Sequence, residues 1–477
     1  MRRSLRRVGA VLAAFGVLTG TGGAVGTGGA AAAATPSSRA TAVPTGVVFS
    51  TPSGTRAQQD AVENRLIQLV NGAARGSTVQ LAIYFLRDGA LVDALINAHR
   101  ARNVGVKVVV DERNTWEPPR DTPLQPGQVR VRNAGIVKLE KALGTKITAR
   151  SFLRVCSPDG ACIGTKGSPK NHNKFYLFSD TLGTKNVVVQ GSGNISPNTR
   201  LTNFNEAVTF PGNAALYGAY QRYFNDLAAM RKNANYYRTY NAGAVKTFFY
   251  PRRGATPWEA ATDDVYQILK NVKCTGNKKV GTSDHRTIVR VNMFELNRAD
   301  VAHKLFDLDA KGCYVELIYS AMSRTAENIL TAKAGKYHGP VLRCSKFTYP
   351  VRDDKGRPVL DPNGRQKTQG AFTHDKYLLI EGVYYGQKDK KIILAGSHNF
   401  SYSALRENDE TLLRIDSPAL YNAYRAGFDG VRAQMTKYHS APVAGCHSPS
   451  EDLQARTYLP KPAEQELERE LQDEYEN

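Results

Sequence analysis

Two short apolar runs, Val79-Gln-Leu-Ala-Ile-Tyr-Phe85 and Gly105-Val-Lys-Val-Val-Val-Asp111, flank a stretch whose apolar residues recur at helical spacing. Ile288-Val-Arg-Val-Asn-Met-Phe294 and Gly312-Cys-Tyr-Val-Glu-Leu-Ile318 bracket a second such stretch. Each set reads as strand, helix, strand. A βαβ unit predicts parallel strands covered by helices. A second pair of segments shares the pattern ALYxAYxxxF: Ala215 to Phe224 and Ala419 to Phe428. Leu216, Tyr220 and Phe224 recur at four-residue steps, as do Leu420, Tyr424 and Phe428, so each trio lies on one helical face and reads as core.

The chain therefore carries one fold twice, and the Pro- and Gly-punctuated segment Tyr250-Pro-Arg-Arg-Gly254 marks the junction. The expected lobes are 45–250 and 255–445. With 477 residues the chain is long enough for two domains of ordinary size. No apolar run of 18 residues occurs beyond the N-terminus, which excludes a polytopic membrane protein built of helices.

The ends differ from the body. Arg2, Arg3, Arg6 and Arg7 precede the apolar run Val8 to Leu18, and a Gly/Ala-rich stretch ends in Ala31 to Ala34. That layout predicts a cleavable secretory signal over 1–34 and a secreted, extracellular protein. Residues 451–477 form an acidic C-terminal tail of net charge −6, whereas the whole chain is +21, which leaves the body between leader and tail near +23. So basic a body predicts an anionic partner, a phospholipid surface or nucleic acid, without choosing between them. The six cysteines, Cys156, Cys162, Cys274, Cys313, Cys344 and Cys446, predict three disulfides in an exported chain. Cys156 and Cys162 can close a short loop, and the other four can pair among themselves. None has the CxxC spacing of a zinc site.

The chemistry-bearing motif is also duplicated. His172-Asn-Lys174 opens an apolar run that leads to Gly191-Ser192-Gly193-Asn194, and His374-Asp-Lys376 opens one that leads to Gly396-Ser397-His398-Asn399. Residues i and i+2 of a strand share a face, so each histidine projects beside a fixed cation. A histidine so placed can attack or protonate phosphorus while the lysine neutralises the non-bridging oxygens. The hydroxyls of Ser192 and Ser397 and the amides of Asn194 and Asn399 can add hydrogen bonds to those oxygens, which makes both serines candidate substrate-binding residues. One such triplet alone is an accident more often than a site; two, each followed by GSxN at equivalent points of a repeat, are not.

This arrangement resembles the phospholipase D superfamily over about residues 45–440. The resemblance implies two similar α/β lobes, each a mixed sheet flanked by helices, related by a pseudo-twofold axis with one active site at their interface. It implies no metal and no cofactor. It also makes His172 the expected nucleophile and His374 the expected acid, which the residues themselves do not distinguish. Two positions depart from the family pattern: the acidic residue five after each lysine is Ser179, with Asp180 one place on, in the first copy and Glu381 in the second. Downstream of GSxN, Asn205-Glu206 and Asp409-Glu410 supply Glu206 and Glu410 as the carboxylates expected to hold the histidine Nδ1–H groups, the role of an orienting group in a catalytic triad.

The expected function is a secreted phosphodiesterase that removes phospholipid headgroups, by hydrolysis or by transfer to an alcohol, through a phosphohistidine. The alternatives are an endonuclease of the same superfamily and a silent binding protein on the same scaffold. Carrying both half-sites, the chain is expected to work as a monomer. Asn114 to Asn133 and Ser345 to Gln369 are candidate substrate loops.

Overall fold

The computed structural model describes residues 42–447, apart from 120–121, 159, 256–258 and 333–338. The leader 1–34 and the tail 451–477 lie outside the described residues. Two mixed sheets of nine strands each dominate the rest. In the first, Thr78–Ile83 runs parallel to Gly105–Val110, which runs parallel to Phe152–Val155. On its other side Thr78–Ile83 meets Lys174–Thr181 antiparallel, followed by Thr184–Gly191 and Asn203–Phe210. The second sheet repeats this order with Ile288–Leu296, Tyr314–Met322 and Val341–Cys344 on one side, and Lys376–Tyr384, Gln387–Gly396 and Thr411–Asp416 on the other.

All nine residues of Ile288–Leu296 and of Lys376–Tyr384 are buried, as a strand covered on both faces requires. The crossover helices Gly89–Arg102 and Ala299–Ala310 bury Leu91, Val92, Leu95 and Ala98, and Val301, Ala302, Leu305 and Leu308. The duplicated ALYxAYxxxF segments are helices within Ala214–Ala228 and Pro418–Lys437, and all six repeated apolar residues are buried. The ring of Tyr220 lies 5.1 Å from that of Phe175, and Tyr424 lies 5.1 Å from Tyr377. The Tyr220 hydroxyl donates to Gln190 Oε1 at 2.9 Å, so the ring is buried without stranding its polar end. Truncating either tyrosine to alanine should cost about 3–5 kcal/mol.

Each sheet also takes strands from the other half of the chain. The hairpin Arg238–Ala242 and Val245–Phe249 pairs with Thr411–Asp416, so the second sheet begins before the sequence junction at 250–254. In the reverse direction, the hairpin of Phe347–Pro350 and Thr368–Thr373 joins the first sheet, with Thr368–Thr373 running parallel to Asn203–Phe210. One apolar cluster accordingly contains residues of both sheets, among them Phe175, Val188, Tyr377 and Ile393. Three disulfides are formed: Cys156–Cys162, Cys274–Cys313 and Cys344–Cys446. Among the described residues no helix is long and apolar enough to cross a membrane.

Candidate active site

The exchanged segments bring the two motifs together. Thr373 pairs with Phe204, and the next residue, His374, donates its backbone N–H to Phe204 O at 2.9 Å. Asn171 bridges to Asp409 in parallel, and His172 N–H donates to Asp409 O at 3.1 Å. Each histidine thus enters its own sheet from a segment laid along the other lobe's strand. The residue after the contact point on that strand supplies the group that fixes the ring. His172 Nδ1 lies 2.8 Å from Glu410 Oε1, and His374 Nδ1 lies 2.9 Å from Asn205 Oδ1.

Glu410 occupies the place expected of it. Glu206 does not: the side chain on His374 is Asn205. Successive side chains of Asn203–Phe210 point to opposite faces, so only one of the pair can reach the ring. Glu206 instead hydrogen-bonds Asp375 in the interior. Burial, and then the adjoining Asp375 charge, push Glu206 well above the ordinary carboxylate range; burial raises Asp375 too. Two adjacent buried carboxyl groups cannot both ionise cheaply, so the pair keeps a proton.

The serines also act differently from expectation. Ser397 Oγ donates to Glu410 Oε2 and accepts the backbone N–H of Thr411 at 3.1 Å. Ser192 Oγ donates to Asn205 Oδ1 at 3.3 Å and accepts the N–H of Glu206 at 3.0 Å. A hydroxyl has one proton, and here it is committed to the group that holds the histidine. The serines brace the orienting residues rather than offer a donor to substrate. Each orienting residue lies 13 positions beyond its serine, a spacing that identifies Asn205 as the counterpart of Glu410.

Lys174 and Lys376 are buried beside their histidines. Lys174 Nζ donates to His172 O at 2.9 Å and Lys376 Nζ to His374 O at 2.7 Å. Tyr84, just after Thr78–Ile83, and Phe294, within Ile288–Leu296, hold equivalent points, their N–H groups donating to Asn173 O and Asp375 O, and back this arrangement. Tyr84 lies 5.5 Å from the His172 ring and 5.4 Å from Lys174 Nζ; Phe294 lies 4.8 Å from the His374 ring and 5.0 Å from Lys376 Nζ. An aromatic face attracts an ammonium through the ring quadrupole. Asn194 and Asn399 are both buried. His172, His374, Lys174 and Lys376 are each at most 1% exposed, so any reaction here proceeds shielded from bulk water.

Of the departing acidic positions, Ser179 accepts the backbone N–H of Thr78 at 2.8 Å, and Glu381 accepts the Tyr421 hydroxyl at 3.1 Å. Both tie strand to neighbour, away from the histidines. Asp409, the neighbour of Glu410, is a main support of this region. Its carboxylate accepts the N–H groups of Cys162 (2.7 Å), Ile163 (3.0 Å) and Gly164 (2.8 Å), which fastens the Cys156–Cys162 loop to the second lobe. Burial lifts Asp409 to about 7, against the pull of those three donors.

The family described as cardiolipin synthase, PLD-like domain, matches residues 66–228 and 283–432. The chain belongs to this family of PLD-like domains, within the phospholipase D superfamily of phosphodiester-acting enzymes. No curated protein sequence matches it. Among solved structures, a phosphatidylserine synthase from Haemophilus influenzae is similar over 82% of this chain and 86% of its own, at 14% identity and a TM-score of 0.50, which supports the two-lobed fold. A polyphosphate kinase from Porphyromonas gingivalis is similar at 15% identity and a TM-score of 0.46; the match covers 82% of this chain but half of the kinase. The phospholipase D family member Nuc from Salmonella typhimurium matches 39% of this chain and 95% of its own, at 16% identity and a TM-score of 0.27.

Proposed function

We propose that this protein is an exported phosphodiesterase that cleaves phospholipid headgroups by the phospholipase D route. The observation that carries the reading is the crossed orientation of the two histidines, each held at Nδ1 by a residue of the other lobe. With Nδ1–H donated to that residue, the chemistry falls to Nε2, as a lone pair on a neutral ring or as an N–H on a protonated one. Glu410 is a carboxylate and Asn205 a neutral amide. Attack on phosphorus by Nε2 leaves positive charge on the imidazole, which a carboxylate at Nδ1 stabilises. We therefore assign His172 as nucleophile and His374 as acid.

His172 Nε2, neutral, forms the bond to phosphorus as the bond to the leaving alkoxide breaks, and His374, which enters the step as the imidazolium, gives that alkoxide its Nε2 proton and becomes neutral. His374 then takes a proton from water or an alcohol. The resulting oxygen attacks phosphorus, and the P–N bond breaks to restore His172. Lys174, Lys376 and the amides of Asn194 and Asn399 neutralise and hold the non-bridging oxygens. No step in this sequence needs a metal ion.

Lipid is favoured over nucleic acid by one surface feature. Leu124, Val129, Val131 and Val137 are exposed within a single stretch, interspersed with Arg132, Lys138 and Lys141. Apolar tips among basic residues suit the boundary of an anionic bilayer. The matching family is described by a cardiolipin synthase, and the fold is shared with a phosphatidylserine synthase, both named for phospholipids.

The test is headgroup release from mixed phospholipid vesicles in EDTA, with His172→Ala and His374→Ala beside the wild type and plasmid DNA in a parallel arm. Release abolished in both variants is the expected result. DNA cleavage without lipid turnover would replace this reading with the nuclease one. Turnover of neither would leave a binding role.

A further inference from the structure

The two lobes diverge where the first central strand of each ends. Asp88 in the first lobe and Arg298 in the second occupy equivalent points: their backbone N–H groups donate to Ile195 O and Phe400 O, each the residue after GSxN. Asp88 is neutralised by Arg200, whose Nη1 lies 2.8 Å away. Arg298 inverts the charge. Its Nη1 donates to Asp263 Oδ2 at 2.8 Å, and its guanidinium lies 5.3 Å from the Phe400 ring. Its other edge, Nε and Nη2, is buried with no hydrogen-bond partner among the described residues, and the residue is 2% exposed.

The x of GSxN diverges at the same place. Gly193 has no side chain, and a Cβ there would come within 2.5 Å of Asn205. Its counterpart His398 is buried, and among the described residues neither of its ring nitrogens has a partner in another residue. The His398 ring lies 4.6 Å from that of Tyr250, whose backbone N–H donates to Glu410 O at 3.1 Å. His398 is thereby one residue removed from the group that orients His172. Burial, and then the Arg298 charge, hold His398 well below the usual histidine range, with smaller contributions from His172 and Arg406. A neutral ring offers one N–H donor.

A buried guanidinium edge and a buried imidazole that no other described residue pairs are costly unless something completes them. The Nε/Nη2 edge presents two parallel N–H groups, which match the two oxygens of a carboxylate or phosphate. We propose that Arg298 and His398 form an oxyanion subsite beside His172, taking an acidic group that the substrate carries next to its scissile phosphodiester. The subsite rests on the phosphodiesterase reading and sharpens it: the preferred headgroup is anionic, bearing a carboxylate or a second phosphate.

The test compares mixed vesicles presenting choline, serine or glycerol-phosphate headgroups. Arg298→Gln is combined with Asp263→Asn so that no lone buried carboxylate remains, and the asparagine keeps an N-cap acceptor for the helix Asp264–Lys270. Wild type should favour one of the acidic headgroups over choline in kcat/KM by at least about tenfold, and which one tells carboxylate from phosphate. The double variant should bring that ratio to about unity, and His398→Gly should lower it about threefold to tenfold. A ratio the double variant leaves unchanged overturns the subsite. A second readout needs no turnover. By calorimetry, wild type should bind pyrophosphate, which spans two adjacent anion positions, more tightly than orthophosphate, and the double variant should lose that preference. Pyrophosphate binding the variant does not weaken likewise overturns the subsite. Undiminished lipid release by His172→Ala would instead sink the phosphodiesterase reading, and the pyrophosphate measurement would still decide on the subsite.

Discussion

The first and second half-sites share a plan, and three of the differences between them bear on its direction: Asn205 against Glu410, Gly193 against His398, and Asp88 against Arg298. The shared parts are the histidine, the lysine and the GSxN serine and asparagine. The differing parts assign unequal tasks. A carboxylate stands behind one histidine and an amide behind the other, and a guanidinium stands where the first lobe has an aspartate. Duplication supplied a symmetric frame, and a few substitutions gave it a direction, which the proposed mechanism uses as one ring to attack, one to protonate, and one side to receive charge.

The sharpest way to break this comparison is to remove each histidine in turn. Either alanine substitution should lower turnover by about 10⁴-fold or more. The two should differ in what accumulates: intact-mass analysis should find a phosphoryl adduct on His172 in His374→Ala protein and none on His374 in His172→Ala protein. An adduct on His374 would reverse the assignment.

Next in size is the exchange of orienting groups. Glu410→Gln should lower kcat by about 10²–10³-fold, since it withdraws the charge that stabilises the phosphorylated imidazole. Asn205→Asp should cost less and act on pH. A carboxylate beside His374 favours its protonated form, so the alkaline limb of the kcat profile should move up by about one unit. A profile that does not move would mean that His374 does not supply the proton. Gly193→Ala, whose new methyl meets Asn205, should lower kcat by about tenfold with little change in KM.

The smallest effect concerns stability. In the first lobe, burial and then the Asp88 charge raise Glu63 to about 8 from an ordinary value of 4.5, against an opposing pull from Arg200. A carboxyl raised on folding contributes stability that is whole below about pH 4.5 and is lost as pH rises through about 8. Glu63→Gln should therefore match the wild type near pH 4.5 and exceed it at pH 9 by about 1–3 kcal/mol, read from urea unfolding at both pH values. Equal stability at both would show that Glu63 titrates normally.

Much of this was readable from the chain because it is local. The apolar runs, the i, i+2 spacing of His172 and Lys174, and the ALYxAYxxxF helices are all set within a few residues. Asn205 was not legible because the motif predicts a carboxylate, and the adjacent Glu206 is one; only the 13-residue spacing from each serine marks the amide. The serines' partners were not legible either, because a hydroxyl's partner depends on what folds against it. The exchanged hairpins had no local sign, since their alternation suits any sheet edge. Asp409 was invisible for the same reason: its three donors lie more than 240 positions away in sequence.

Those hairpins bear on how the molecule yields under load. A force drawing the two sheets apart would not peel a smooth contact. It would have to break the ladder between Val245–Phe249 and Thr411–Asp416 and the shorter one between Phe372-Thr373 and Asn203-Phe204. Each half clasps the other by its own backbone, like two interlocked hooks. Severing the chain at its sequence junction would thus leave both fragments with an open sheet edge, and neither could align a histidine without the other.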